Sequence, residues 1–222
     1  MISLSSRIGA LAGNWGEVIS RFMPGQREKH PIATAAELRR FVSTRASVIA
    51  QKTLYGYLRT RIGTRYPEAF KEPDFARSID IAKLHVFAAC LSDLAIHAVA
   101  HALVDQRVDD ATRRALANAC LRTGLDDNAG SLVGGFSRAE AEAAHEIRVA
   151  GIDWARAAAG RESFGTSPAA LVRWAPIAPE LKQHDVEIVE NSMRFAWHEI
   201  RADFERRLDA DAITAEVLTA AA

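Results

Sequence analysis

The stretch Leu84–Val104, LHVFAACLSDLAIHAVAHALV, constrains the fold more than any other part of the chain. It reads as a helix that is apolar almost all the way round. At 100° per residue, Leu84, Ala88, Leu91, Ala95, Ala98 and Ala102 share one face, while Val86, Cys90, Leu94 and Val104 cover the opposite one. A helix without a polar face belongs at the centre of a fold. Yet Asp93, His97 and His101 stand on it at steps of four. Buried groups of this kind must find partners or change protonation state. The stretch is long enough to cross a bilayer, but an Asp at its centre would cost roughly 2.5–3.5 kcal/mol on insertion scales. His85, His97 and His101 argue against spanning as well, so a buried helix of a soluble domain is expected.

Helical spacing recurs along the whole chain and period-two alternation does not. Leu4, Ile8, Leu11, Trp15, Val18 and Phe22 repeat at alternating steps of four and three, giving a narrow apolar stripe on a first helix over 3–22 that Pro24-Gly25 stops. Thr34 and Glu37 form a capping box before a basic second helix, 35–61. The central helix is expected over 75–105. Asp109 or Asp110 caps a shorter helix that Gly124 closes, followed by a Gly-rich loop over 125–136. Ser137 and Glu140 open a helix to 159. A connection over 160–179 holds a short helix begun by Ser167-Pro168. The last long helix, 180–208, should bury Val186, Val189, Met193, Ala196, Ile200 and Phe204. The expected fold is all-α, a single bundle of about five long helices around the buried central one. Residues 1–23 form an amphipathic N-terminal helix, 24–33 a linker, 34–209 the bundle and 210–222 a tail.

The chain is neutral overall but unevenly charged. Residues 1–77 carry 13 Lys/Arg against 6 Asp/Glu, and the remainder is acidic by the same margin. This asymmetry points either to an anionic partner for the N-terminal third or to packing of the two parts on each other. An amphipathic helix followed by a basic one suits a protein partner, a second copy of the chain or an anionic membrane surface. The basic residues scatter round their helix and no recognition motif accompanies them, which argues against nucleic acid. Cys90 and Cys120 stand apart in apolar contexts and read as reduced core thiols. The N-terminus lacks the apolar run and cleavage site of a secretory signal, so a cytoplasmic protein is expected.

The chemistry-bearing cluster is the Asp/His line. His97 and His101 lie one turn apart and can converge on one ion, and Asp93 extends the line by a turn. Glu142 and His145 form one Glu-x-x-His on the helix after Ser137. Neutral imidazoles with carboxylates suit zinc, iron or manganese. A di-iron bundle needs two such motifs and two further glutamates, so a mononuclear site from Asp93, His97, His101 and His145, with Glu142 beside it, is the form that this reading takes. The alternative is a hydrogen-bonded core network in which Asp93 pairs with a buried Arg. Hydrolase signatures fail. Gly160–Gly165 has one residue too many for G-x-S-x-G, and the strand that motif needs is missing. There is no H-E-x-x-H. The loop at Asp126–Asn128 lacks the glycine and terminal Glu of a calcium hand, and the glycines at 130, 134 and 135 lack a phosphate loop's Lys-Ser/Thr.

The runs NWGEVISRFMPGQREKHPIATAAELRRFV, TLYGYLRTRIGTRYPE and SPAALVRWAPIAPELKQHDVEIVENSMRFAWHEIRADFERRLD resemble a group of uncharacterised helical proteins of alphaproteobacteria, some of which carry the loose label "esterase". The resemblance covers most of the chain. It implies a helical fold and, through the label, ester hydrolysis, but it carries over no catalytic residue because no esterase motif is present here. The leading expectation is a cytosolic adaptor that meets its partner with the basic N-terminal third. The alternative is an enzyme, either metal-dependent through Asp93, His97 and His101 or an esterase-like hydrolase.

Overall fold

The computed structural model describes residues 30–105, 107–131, 134–160 and 162–221. The helix expected over 3–22 and its Pro24-Gly25 stop lie outside the described residues. The elements are α1 (Ala35–Ile62), α2 (Tyr66–Ala69), α3 (Pro73–Ala102), α4 (Asp110–Asp127), α5 (Arg138–Ala150), α6 (Trp154–Ala158), α7 (Thr166–Trp174), α8 (Pro179–Lys182), α9 (Val186–Arg207) and α10 (Ala210–Ala221). The fold is all-α, and no strand occurs among the described residues. The one bridge of the β type is isolated: Ile32 N–H donates to the Arg207 carbonyl at 2.8 Å, and Asp209 N–H donates to the Ile32 carbonyl at 2.9 Å.

Central α3 is buried without a break from Val86 to Ala100, as its all-round apolar pattern requires. Helices α1, α4, α6 and α7 pack around it. Leu91, Leu94, Ala95 and Ala98 all have 0% exposure, and so does Asp93. Among the described residues no helix is long and apolar enough to cross a membrane.

Local signals set most helix ends. The Thr34 hydroxyl accepts from Glu37 N–H while the Glu37 carboxylate accepts from Thr34 N–H, both at 3.1 Å, so two orphan amides of α1 are satisfied reciprocally. Asp109 caps α4 through Thr112 N–H, and Ser137 caps α5 through Glu140 N–H.

Three boundaries differ from expectation. Gly124 does not close α4, which runs on to Asp127 and ends at Asn128. Gly124 instead faces Leu91, and a Cβ there would lie 2.4 Å from a Leu91 methyl, so the missing side chain is what lets α4 approach α3. The helix from Ser137 stops at Gly151, and Asp153 then caps the separate α6 by accepting from Ala155 and Arg156 N–H. The last long helix is interrupted at Gln183–Asp185. Its second part, α9, buries Val189, Met193, Ala196 and Phe204 and half-buries Ile200, whereas Val186 is exposed at its very start. The expected tail is helical as α10 and inserts Ile213 into the core.

Part of the charge asymmetry is resolved within the described residues. Arg45 meets Asp203 at 2.9 Å and Lys52 meets Glu199 at 3.3 Å, while Arg61 Nε donates to Asp185 at 2.6 Å. Tyr57 donates its hydroxyl to the same Asp185, also at 2.6 Å. Basic α1 thus lies along the acidic residues of α9 and of the turn before it.

Candidate functional site

Asp93, in the middle of α3, is the hub of a buried polar knot. Arg148 of α5 donates to its Oδ1 from Nη1 at 2.6 Å. Its two oxygens also receive the first amides of α7: Thr166 N–H at 3.3 Å on Oδ1 and Ser167 N–H at 2.8 Å on Oδ2. Helix α7 has no cap from its own N-cap residue, Gly165. A carboxylate from another helix therefore supplies the cap, and the positive end of the helix favours that charge. Burial pushes the Asp93 carboxyl above its usual value, against the opposing pull of Arg148 and Ser167.

Arg148 spends both terminal nitrogens of its guanidinium on this region. Nη1 also donates to Ser92 Oγ at 2.9 Å, and Nη2 donates to the carbonyls of Ser163 (2.6 Å) and Glu162 (3.2 Å). Ser92 Oγ lies 2.9 Å from His145 Nδ1. Ser92 Oγ, which accepts from Arg148, thereby links the Asp93–Arg148 pair to the His145 ring. Burial, with the Ala117 carbonyl opposing it and the charges of Arg148 and Arg122 assisting, brings His145 down to about 4, so the ring is neutral at pH 7. His97 behaves alike. Its Nδ1 is 3.2 Å from the Ala157 carbonyl, which can only accept, so Nδ1 carries the hydrogen. Burial brings it to about 4 against that bond, with Arg201 and His101 lowering it further.

The five residues expected to hold a metal therefore have separate occupations. Asp93 is held by a cation and two amides, Glu142 accepts from Arg138 Nε at 2.6 Å, and His145 is bonded to Ser92. His97 and His101 are neighbours, with ring centroids 5.8 Å apart, but they pack around Phe204. Among the described residues no three His, Cys, Asp or Glu side chains are gathered to hold one ion. The two carboxylates of that set are paired with arginines instead.

The sequence argument missed Arg148, Ser92 and the start of α7. A signal for Arg148 was present: Glu142, His145 and Arg148 recur every three residues on one face of α5. It also missed the cleft above the knot. Six alanines, Ala88 and Ala89 of α3, Ala141 and Ala144 of α5, and Ala169 and Ala170 of α7, wall a cavity of about 430 Å³. Ser92, His145, Arg148 and Thr166 also line it, as do Phe136, His85 and Trp174. His85 stacks on Trp174 with centroids 3.4 Å apart and planes 1° from parallel, and it lies 3.0 Å from the Gly135 carbonyl through Nε2. Arg173 lies over the same indole at 5.3 Å.

No protein-family model matches this chain, and no curated protein or solved structure shows a significant match to it.

Proposed function

We propose that the protein is a binding protein for small acyl compounds, molecules with an apolar chain or ring and a carbonyl or carboxylate head. The observation that carries this reading is the alanine-walled cleft of about 430 Å³, to which Thr166, Ser137, Glu140 and Arg173 bring polar groups beside the Ser92–His145–Arg148 network. Its size and its mix of apolar walls with a few convergent polar groups are those of ligand pockets. Arg173, which lies over the Trp174 indole, is the lining cation that the Asp93 network does not hold, and it favours a ligand oxygen.

A second reading, ester hydrolysis with Ser92 as nucleophile and His145 as base, is favoured by their 2.9 Å contact. Two features weigh for binding over turnover. A base with a pKa of about 4 draws a serine proton poorly. The two free amides at the start of α7, which could have stabilised an oxyanion, are spent on Asp93. The adaptor reading rests chiefly on residues 1–29, outside the described part, and on exposed basic residues of α1 such as Arg40 and Arg59.

The test titrates octanoate while following tryptophan fluorescence, with Trp174 lining the cleft. Saturable quenching is expected, and it should vanish in Ala170→Leu, whose side chain fills the cavity. Absence of saturable binding would overturn the binding reading. In parallel, p-nitrophenyl octanoate distinguishes the two readings: turnover abolished by Ser92→Ala would establish the second.

A further inference from the structure

A second cavity, about 550 Å³, opens between the α6–α7 loop with the start of α7 and helix α9. Phe164, Trp197, Arg194, His198, Glu190 and Arg201 line it. Arg201 is the unusual member. It is partly buried, and its Nε is fully shielded from solvent with no hydrogen-bond partner. No ion pair involves it among the described residues, whereas Arg45, Arg61 and Arg148 each hold a carboxylate. Leaving a guanidinium half-buried without an anion is unfavourable.

Nor is Arg201 a loose surface chain. Its guanidinium sits over the Phe164 ring at 5.9 Å and rests on the backbone of Gly160. Gly160 has φ +77°, and a Cβ there would fall 2.8 Å from the guanidinium carbon, so a glycine in the left-handed region is what makes room for the cation. The same Phe164 ring packs on His97 at 5.0 Å, and the His97 Nε2 is likewise buried without a partner. The unpaired Arg201 guanidinium thus lies on an aromatic ring beside a cavity of ligand size. Arg194 and His198 add positive or neutral groups, and Glu190 is the single acidic side chain in the lining.

We infer that this cavity takes a small organic oxyanion, a carboxylate or a phosphate monoester, paired with Arg201. The Nη1–Nη2 edge of the planar guanidinium matches either group with two parallel bonds, and Phe164 and Trp197 offer apolar surface to the rest of the molecule. The inference stands apart from the acyl cleft and uses none of its residues.

The experiment records the arginine Nε–Hε resonances of the whole protein by ¹⁵N NMR, with Arg201 assigned by its loss in Arg201→Lys. Inorganic phosphate and benzoate are the two probes, added at constant ionic strength against a chloride control. A saturable shift of the Arg201 resonance with either probe is expected, and the probe that produces it assigns the oxyanion class. Arg201→Lys keeps the charge but loses the fork, and it should weaken binding, followed through Trp197 fluorescence, on the order of tenfold. Thermal melting establishes that the variant is folded. A resonance that moves with neither probe, or moves equally with chloride, would overturn the site. Unchanged affinity in a folded Arg201→Lys would overturn the role of Arg201.

Discussion

At Asp93 a fully buried carboxylate is held by one guanidinium and two helix amides, whereas at the outer edge of the seam between α1 and α9 the Glu199 carboxylate is met by one lysine, Lys52. The exposures differ accordingly. The Asp93–Arg148 side chains are 0% and 19% exposed, while those of Lys52–Glu199 are 61% and 72% exposed. In the first case desolvation is costly, and the geometry must satisfy every lone pair to offset it. At Lys52–Glu199 water screens both charges and the pair contributes little. The knot therefore fixes where α5 and α7 meet α3, while the exposed Lys52–Glu199 pair mainly matches the signs of two surfaces.

The strongest way to break this comparison is to remove one partner of the knot. Asp93→Ala leaves Arg148 buried without its anion and α7 without a cap. It should lower the unfolding free energy by about 3–5 kcal/mol in urea denaturation. Adding Arg148→Met should recover much of that loss, though not the cap, which contributes about 1 kcal/mol. A single-mutant cost below about 1 kcal/mol would show that water already reaches the knot.

Acid should sharpen the contrast by a smaller amount. His97 and His145 titrate at about 4 in the folded chain and near 6.5 when unfolded. Between those values the unfolded chain binds more protons, so stability rises with pH and is lost as pH falls from 6.5 towards 4. By pH 5 each ring accounts for a loss of about 2 kcal/mol. Urea midpoints at pH 7 and pH 5 measure the total. His97→Asn, which retains a donor for the Ala157 carbonyl, should remove about half of the acid sensitivity. An undiminished pH dependence would assign it elsewhere.

The smallest effect belongs to the seam. Lys52→Ala should change stability by less than about 1 kcal/mol, and added salt should erase the difference. A larger, salt-resistant cost would place this pair on the same footing as the knot.

The parts of this architecture that were readable in the sequence are those set by neighbours in the chain. The all-round apolar run made α3 central, and its lone Asp demanded a cation. Thr34, Asp109 and Ser137 marked their helix starts correctly because a cap bonds within three residues. Gly124 was misread because glycine serves two purposes, ending a helix or letting another helix close in, and Leu91, which decides between them, lies far away in sequence. The alanine-walled cleft was invisible for the same reason. Its alanines come in pairs from three helices, and each pair taken alone is ordinary helix composition. The Asp/His line had the spacing of a metal site, but spacing on one helix does not reveal that arginines from elsewhere will reach its carboxylates first.

The α1–α9 seam also has an order in time. Arg45 leaves the ribosome 158 residues ahead of Asp203, and Lys52 is 147 residues ahead of Glu199. At ordinary synthesis rates the basic helix waits roughly 10–30 s for its acidic counterpart. Throughout that interval the nascent chain presents uncompensated arginines and lysines beside ribosomal RNA. The pairing that contributes least to the finished protein thus forms late, and its cationic half stays bare at least until α9 has been made.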